Sequence, residues 1–405
     1  MSKRTLLQIM HDLSIVSIRS IIGVIPKNKK MILFSSWNGQ KYADSSMYMF
    51  EYFLKEKEYQ VYWYTKNKKL YNDLIIKGIP VVYSNSINGI WKQIRANMLV
   101  SSIQMADFSP YFLNSCIYFD LGHGFPIKQS GFEQPDATPR SIQYTMLLRQ
   151  KIDYYMVSAS RFESNLISRC FCVQKDHIVK CNKPRMDIFF DESMREGKNE
   201  VVDKIKASKK AIVYMPTHRS CGKVPIEISK IFNLDELDNI CEENDAVFIV
   251  KKHFFHRKEK ENLDKYRNIF DITNEDIETQ TLLLQADVLI SDYSACYIDY
   301  LILDKPIILY AYDYESFIKN ERDLYFKFED NDAGFKAFTK EQFNKCLISV
   351  VTDWQDVEHA TGREHVRNIY FDTEVLVQDT RKLIKEKMEK MLAGTYELEW
   401  KEEEK

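Results

Sequence analysis

The sequence predicts an α/β fold of two facing Rossmann-like domains, each built on a parallel sheet, and three observations support this. The chain has 405 residues, beyond the size at which one hydrophobic core usually stops growing. Short apolar, β-branched and aromatic runs alternate with helical patterns along its length. The alternation pauses at a charged stretch, Asp191–Lys210, and then restarts.

The N-terminus comes first. Leu6, Leu7, Ile9, Met10, Leu13, Ile15, Val16, Ile18, Ile21, Ile22, Val24 and Ile25 form an apolar-rich stretch. His11, Asp12 and Arg19 interrupt it, and Lys3, Arg4, Lys27, Lys29 and Lys30 flank it. A bilayer span needs about 20 mostly apolar residues, and central charges are costly there. The stretch therefore reads as an amphipathic helix over residues 1–28, lying on an anionic membrane surface or packed on the first domain.

The first domain, residues 29–195, has strand candidates at Met31–Ser35, Gln60–Thr65, Pro80–Tyr83, Met98–Ser101, Cys116–Leu121 and Tyr154–Val157. A helix is expected over Ser45–Leu54, with Asp44 as its N-cap. The second domain, residues 205–372, has strands at Ala211–Met215, Ala246–Val250, Ile269–Ile272, Val288–Ser291 and Ile307–Tyr310, and a helix over Gln280–Gln285. Residues 373–405 read as a charged helix ending in a solvated Glu/Lys run.

Composition narrows the function. Formal net charge is −2, which gives no global argument for nucleic-acid binding. Any anion site must be local. The 8 cysteines are scattered, and the Cys170–Cys172 pair has no second close pair to complete a zinc pattern. Free thiols and no export signal suit a reducing cytoplasm.

Four motifs fall just after predicted strands, where ligands sit in open α/β sheets. In Leu121-Gly122-His123-Gly124-Phe125-Pro126-Ile127-Lys128, Gly124 lets backbone approach a ligand, and His123 is suited to take a proton from an alcohol. Lys128 is placed to hold a phosphate; a tight turn around a hydrogen-bonded histidine is the other reading. In Pro216-Thr217-His218-Arg219, Arg219 offers a planar fork for phosphate oxygens and Thr217 a hydroxyl, unless the arginine merely decorates a surface loop. Lys251-Lys252-His253 places positive charge at a strand end, with His253 a donor to a leaving phosphate oxygen; solvated lysines would look the same. In Ser291-Asp292-Tyr293-Ser294, a buried strand runs into a helix expected to begin near Ser294. Its N-terminus and hydroxyls would suit a pyrophosphate, or Asp292 and Ser294 are simply caps. Asp299, further into that helix, is grouped with these as a substrate-binding candidate.

In this order the four motifs resemble the CDP-glycerol glycerophosphotransferase family of teichoic acid synthesis, in its single-module form. The segments Phe34-Ser35-Ser36, Tyr42-Ala43-Asp44-Ser45, Pro184-Arg185-Met186-Asp187 and Asp304–Asp313 extend the resemblance over residues 30–330. It implies a GT-B-type fold, a CDP-activated polyol donor in the second domain, a lipid-linked or polymer acceptor, no cofactor and no catalytic metal. By the same resemblance, His123 would activate the acceptor hydroxyl, and Arg219, His253, Ser291, Asp292 and Ser294 would surround the donor diphosphate. It implies work at the inner membrane face and leaves oligomeric state open, a homo-oligomer included. Four positions depart from the family pattern: Phe125, His218, Phe254 and Ala295. A GT-B glycosyltransferase or nucleotide-sugar enzyme, or a non-catalytic membrane-bound scaffold, is the alternative.

Overall fold

The structure, a computed structural model, describes residues 5–195, 200–207, 209–257, 261–376 and 379–397. Lys3, Arg4 and the terminal Glu/Lys run lie outside the described residues. The chain forms two compact units. The first gathers the described parts of Met1–His123, Ser130–Asp187 and Phe371–Lys405, and the second Gly124–Gln129 and Ile188–Tyr370.

In the first unit the strands are β1 (Asn28–Phe34), β2 (Gln60–Thr65), β3 (Val81–Tyr83), β4 (Ala96–Ser101), β5 (Ile117–Asp120), β6 (Asp153–Ser158) and β7 (Ile178–Lys180). They pair in the order β3-β2-β1-β4-β5-β6-β7, and every pair is parallel. The second unit has β8 (Lys210–Met215), β9 (Ala246–Val250), β10 (Ile269–Asp271), β11 (Val288–Ser291), β12 (Ile307–Tyr310) and β13 (Phe335–Ala337). Their order is β10-β9-β8-β11-β12-β13, again all parallel.

Helices connect these strands. Those of the first unit are α1 (Leu6–Ile22), α2 (Asp44–Leu54), α3 (Lys68–Ile76), α4 (Ile87–Arg95), α5 (Pro139–Arg149) and α6 (Arg161–Phe171). Those of the second are α7 (Glu200–Lys206), α8 (Ile228–Ile231), α9 (Leu234–Glu243), α10 (Thr279–Gln285), α11 (Cys296–Tyr300), α12 (Tyr314–Asn320), α13 (Lys340–Val351) and α14 (Ala360–Tyr370). The closing α15 (Thr373–Leu376) and α16 (Thr380–Ala393) return to the first unit.

A parallel sheet covered on both faces is read from continuous apolar runs. Val288–Ser291 and Ile307–Tyr310 are buried at every position. Burying each such aliphatic side chain contributes about 1.5–3 kcal/mol. In each sheet the strand order reverses beside its first strand, between β1 and β4 and between β8 and β11. These switch points are where doubly wound sheets open a crevice at the strands' carboxyl ends.

Several expectations need correction. The junction falls at Asp187–Ile188, ahead of the charged stretch, and residues 371–397 belong with the first unit instead of trailing the second. The reason is a buried link: the Asp187 carboxylate accepts from the backbone N–H and Nε of Arg381, both at 3.0 Å, which ties the start of α16 to the first unit. Asp44 does not cap α2. Ala43 holds the N-cap position, while Asp44 sits at φ +65° with its carboxylate on Ser45 N and Arg185.

Helix α1 docks on the first unit through Asp12, Arg19 and the fully buried Ile15, which joins that unit's core. Asp12 pairs with Arg140 at 2.5 Å, and Arg19 donates to the carbonyls of Leu147 and Gln150 at the end of α5. Most of its other apolar residues point away: Leu6, Leu7, Leu13 and Ile21 are 73%, 78%, 59% and 71% exposed. Among the described residues, no helix is long and apolar enough to cross a membrane.

Candidate functional site

In the first unit the candidate base stands on a turn that β5 dictates. Asp120, at the end of β5, is fully buried. Its Oδ1 accepts from Gly122 N at 2.9 Å, and its Oδ2 from the Tyr154 hydroxyl at 2.7 Å. Gly122 takes φ +66°, a conformation that strains any residue with a Cβ. His123 then projects edge-on to Trp37, with ring centres 5.9 Å apart. Two buried ion pairs join the segments that follow β1, β6 and β7: Arg185 with Asp44 at 3.1 Å and Lys183 with Glu163 at 2.7 Å.

The His123 ring keeps solvent-accessible surface, yet it lies among enough protein for poor hydration to lower its pKa below the usual 6.5. Asp44 opposes that shift, and the positive charges of Arg185 and Lys183 add to it. A neutral imidazole at neutral pH is an acceptor of protons, as a general base must be.

Asp120 gives a pH-dependent expectation of its own. Burial pushes its pKa from 3.8 up to about 6, against the hydrogen bonds from Tyr154 and Gly122. Between those values the unfolded chain has lost a proton that the folded chain keeps. Stability therefore falls as pH rises from about 4 to about 6, by ~3 kcal/mol for a shift of this size. We expect Asp120→Asn to lack this decline. Urea unfolding at pH 4.5 and 7 checks it, and an equal decline in both proteins would remove Asp120 as the cause.

In the second unit the loops after β8, β9 and β11 carry the candidates. Arg219 is 5% exposed, and four of its five N–H groups are committed. Nε donates to Asp313 at 2.7 Å, Nη2 to Asp292 at 2.9 Å and to Asp313 at 3.0 Å, and Nη1 to the Thr217 carbonyl. Burial alone would lower the guanidinium pKa, but Asp292 and Asp313 more than offset that and raise it. Asp292 also accepts from Thr217 N at 2.8 Å and Tyr293 N at 2.6 Å. The pair thus braces the loop after β8 against the loop after β11 at the switch point.

Other candidates divide between exposed and inward positions. Lys128 reaches the Tyr293 carbonyl at 2.7 Å, and burial lowers its pKa to about 8. Gly124 passes beside Ala295, where an added Cβ would be 3.6 Å away. Half-buried His253 accepts from Phe255 N at 3.4 Å and packs its ring 5.0 Å from His218. Ser291 is buried and donates to the Met215 carbonyl at 3.1 Å. Lys251 turns away onto the carbonyls of Ile272 and Glu275. Asp299 is buried behind the loop, where it accepts from Gln280 at 2.7 Å. Its helix starts at Cys296, after Ser294, and runs five residues before tightening. So short a helix has little dipole. What half-buried Ser294 contributes is its hydroxyl and a free backbone N–H, which finds no acceptor among the described residues.

Sequence reasoning did not assign Trp37, Asp44, Glu163, Lys183 or Arg185 around His123. Asp44 and Arg185 lie in segments already noted for their resemblance, but nothing local announces that they pair. It also missed the role of Asp313, which ends the Asp304–Asp313 segment noted for its resemblance but carries no local sign that it pairs with Arg219. Among the described residues, no group of three His, Cys, Asp or Glu side chains is placed to hold a metal ion.

Two doubly wound parallel units, with polar side chains gathered on strand-end loops at a switch point, define a GT-B-type transferase fold. A solved structure of the wall teichoic acid polymerase TagF superposes with a TM-score of 0.73 at 22% identity, covering 98% of this chain and 100% of that one. The sequence profile of the CDP-glycerol:poly(glycerophosphate) glycerophosphotransferases matches residues 18–379. The chain belongs to that family and is an enzyme of that transferase type. It is 25% identical over 352 residues to the teichoic acid poly(glycerol phosphate) polymerase of Bacillus spizizenii, covering 83% of this chain and 87% of the relative. It is 24% identical over 350 residues to the teichoic acid glycerol-phosphate transferase of Staphylococcus aureus, covering 82% and 87%. Of the polymerase of Staphylococcus epidermidis, 27% identical over 328 residues, it spans only 43%.

Proposed function

We propose that this protein moves glycerol phosphate from CDP-glycerol onto a hydroxyl of a lipid-linked or growing cell-surface polymer and releases CMP. The supporting observation is the set of loops braced at the β8–β11 switch point, on a chain of this family. The acceptor oxygen attacks the phosphorus that bears the glycerol, His123 takes the hydroxyl proton, and the bond from that phosphorus to the CMP oxygen breaks. His253 and the positive charge of Lys128 stabilise the leaving CMP. Ser294 and the backbone near Gly124 add donors and room. Such chemistry rests on positioning and charge stabilisation. The test is CMP release by the purified chain with a lipid-linked acceptor and either CDP-glycerol or CDP-ribitol. We expect faster release from CDP-glycerol; no release above background from either donor would defeat the reading.

We also propose that the enzyme works from the cytoplasm, resting on the inner face of the membrane through α1. The apolar side of α1 faces outward, and Lys29 and Lys30 beyond it are exposed. Apolar burial with flanking cations is how a helix holds an anionic interface. Leu6→Glu with Leu13→Glu should cut sedimentation with phosphatidylglycerol vesicles about tenfold or more. Undiminished binding by that variant would refute the role of α1.

A further inference from the structure

With Arg219 neutralised by Asp292 and Asp313, the remaining cations of the second unit become informative. Arg322 is half-buried just beyond α12, and among the described residues no carboxylate lies within ion-pair distance of it. Its neighbours on both sides are tied down, one by a side chain and the other through backbone. The neighbouring Glu321 accepts from Ser220 N at 2.6 Å and Ser220 Oγ at 2.9 Å. On the other side, Gln129 N donates to the Asp323 carbonyl at 2.9 Å and Tyr325 N to the Ile127 carbonyl at 3.0 Å, so that Lys128 pairs antiparallel with Leu324. These bonds draw the loop after β8, the strip around Lys128 and the segment after α12 together. Lys128 in turn reaches the loop after β11.

Two polar atoms on the β8 loop are buried with no hydrogen-bond partner: Thr217 Oγ1, on a residue 8% exposed, and His218 Nδ1. Leaving such atoms unpaired costs stability unless a ligand completes them. The Lys128–Leu324 pairing and the Ser220–Glu321 bonds bring the segment that bears Arg322 to the strip of Lys128 and to the loop of His218. Burial first, then Lys128 and Arg322, bring the His218 pKa down to about 4, so the imidazole is neutral and offers one donor and one acceptor. Arg322 likewise depresses Lys128. Two cations, Lys128 and Arg322, on segments paired at Lys128–Leu324, beside the unfilled Thr217 Oγ1 and His218 Nδ1, describe a site completed by an anion.

We infer that Arg322, Lys128 and His218, with the Thr217 hydroxyl, form the cradle for the diphosphate of a nucleoside-diphosphate donor, and that Arg219 is a positioning residue which braces their loop. This rests on the CDP-donor reading above. It assigns diphosphate contact to Arg322, which no motif marks, and to His218, one of the positions that depart from the family pattern.

Calorimetry with CDP and CMP on the full chain tests it. A wild-type chain that binds neither nucleotide overturns the donor reading and this inference together. With CDP binding established, Arg322→Gln should weaken CDP about tenfold or more, the usual scale for a hydrogen bond to a charged group, and CMP distinctly less. Arg322→Lys should recover part of the loss. His218→Phe should weaken CDP several-fold without lowering the melting temperature, since it gives up no protein hydrogen bond. An unchanged CDP-to-CMP affinity ratio in both Arg322→Gln and His218→Phe would overturn the inference and leave the donor reading standing.

Discussion

His123→Ala should lose CMP release by about a hundredfold or more while keeping its melting temperature and its CDP affinity, the usual scale for removing a general base. The ring is exposed and edge-on to Trp37, so removing it takes little from the core. The pH profile adds a second check. Poor hydration sets the His123 pKa below 6.5, so the basic form persists at neutral pH and the rate declines only on the acid side of that value. Asp44→Asn removes the negative charge that opposes this shift, so the acid limb should move to still lower pH. Turnover like the wild type in His123→Ala would end the role of this residue, and a profile insensitive to Asp44 would remove the carboxylate's influence on it.

Arg219→Ala should cost about 3–5 kcal/mol of stability, because it leaves a buried carboxylate without its partner. Asp292 is 1% exposed and, among the described residues, has no other cation within ion-pair distance, while Asp313 is bonded by Tyr293 as well as Arg219. Arg219→Lys should recover little, since an ammonium cannot serve Asp292, Asp313 and the Thr217 carbonyl at once. Urea unfolding checks both variants. A loss under about 0.5 kcal/mol, with CDP binding abolished, would return Arg219 to the role of direct phosphate ligand.

Much of the fold could be read before any coordinates. Strands buried on both faces leave uninterrupted apolar runs, and Gln60–Thr65, Ala246–Val250, Val288–Ser291 and Ile307–Tyr310 are strands over those same residues. The strands that escaped notice, Ile178–Lys180 and Phe335–Ala337, are three-residue edges with too few positions to show a pattern. The loops bearing the candidate site were legible for a related reason: each follows a readable strand. Which way their side chains turn was not. Lys251 and His253 are two residues apart, yet Lys251 turns onto backbone carbonyls and His253 packs against His218. Lys252 between them is buried against Glu261 at 3.3 Å. Spacing alone cannot separate these fates, because they depend on which carboxylates and carbonyls the rest of the unit brings near.

The sequence by itself determined the alternation of strand and helix, the two-part organisation and the order of the strand-end motifs, since these follow from local apolar patterning. Only the tertiary structure decided that Gly124–Gln129 joins the second unit, that the final helix joins the first, and that Arg219 is held by Asp292 and Asp313 while Arg322 has no carboxylate in ion-pair reach among the described residues. The physical reason is the cost of burying charge. A guanidinium taken out of water must find an acceptor, and which acceptor lies within reach is set by strand order and loop packing, quantities that no short stretch of residues encodes.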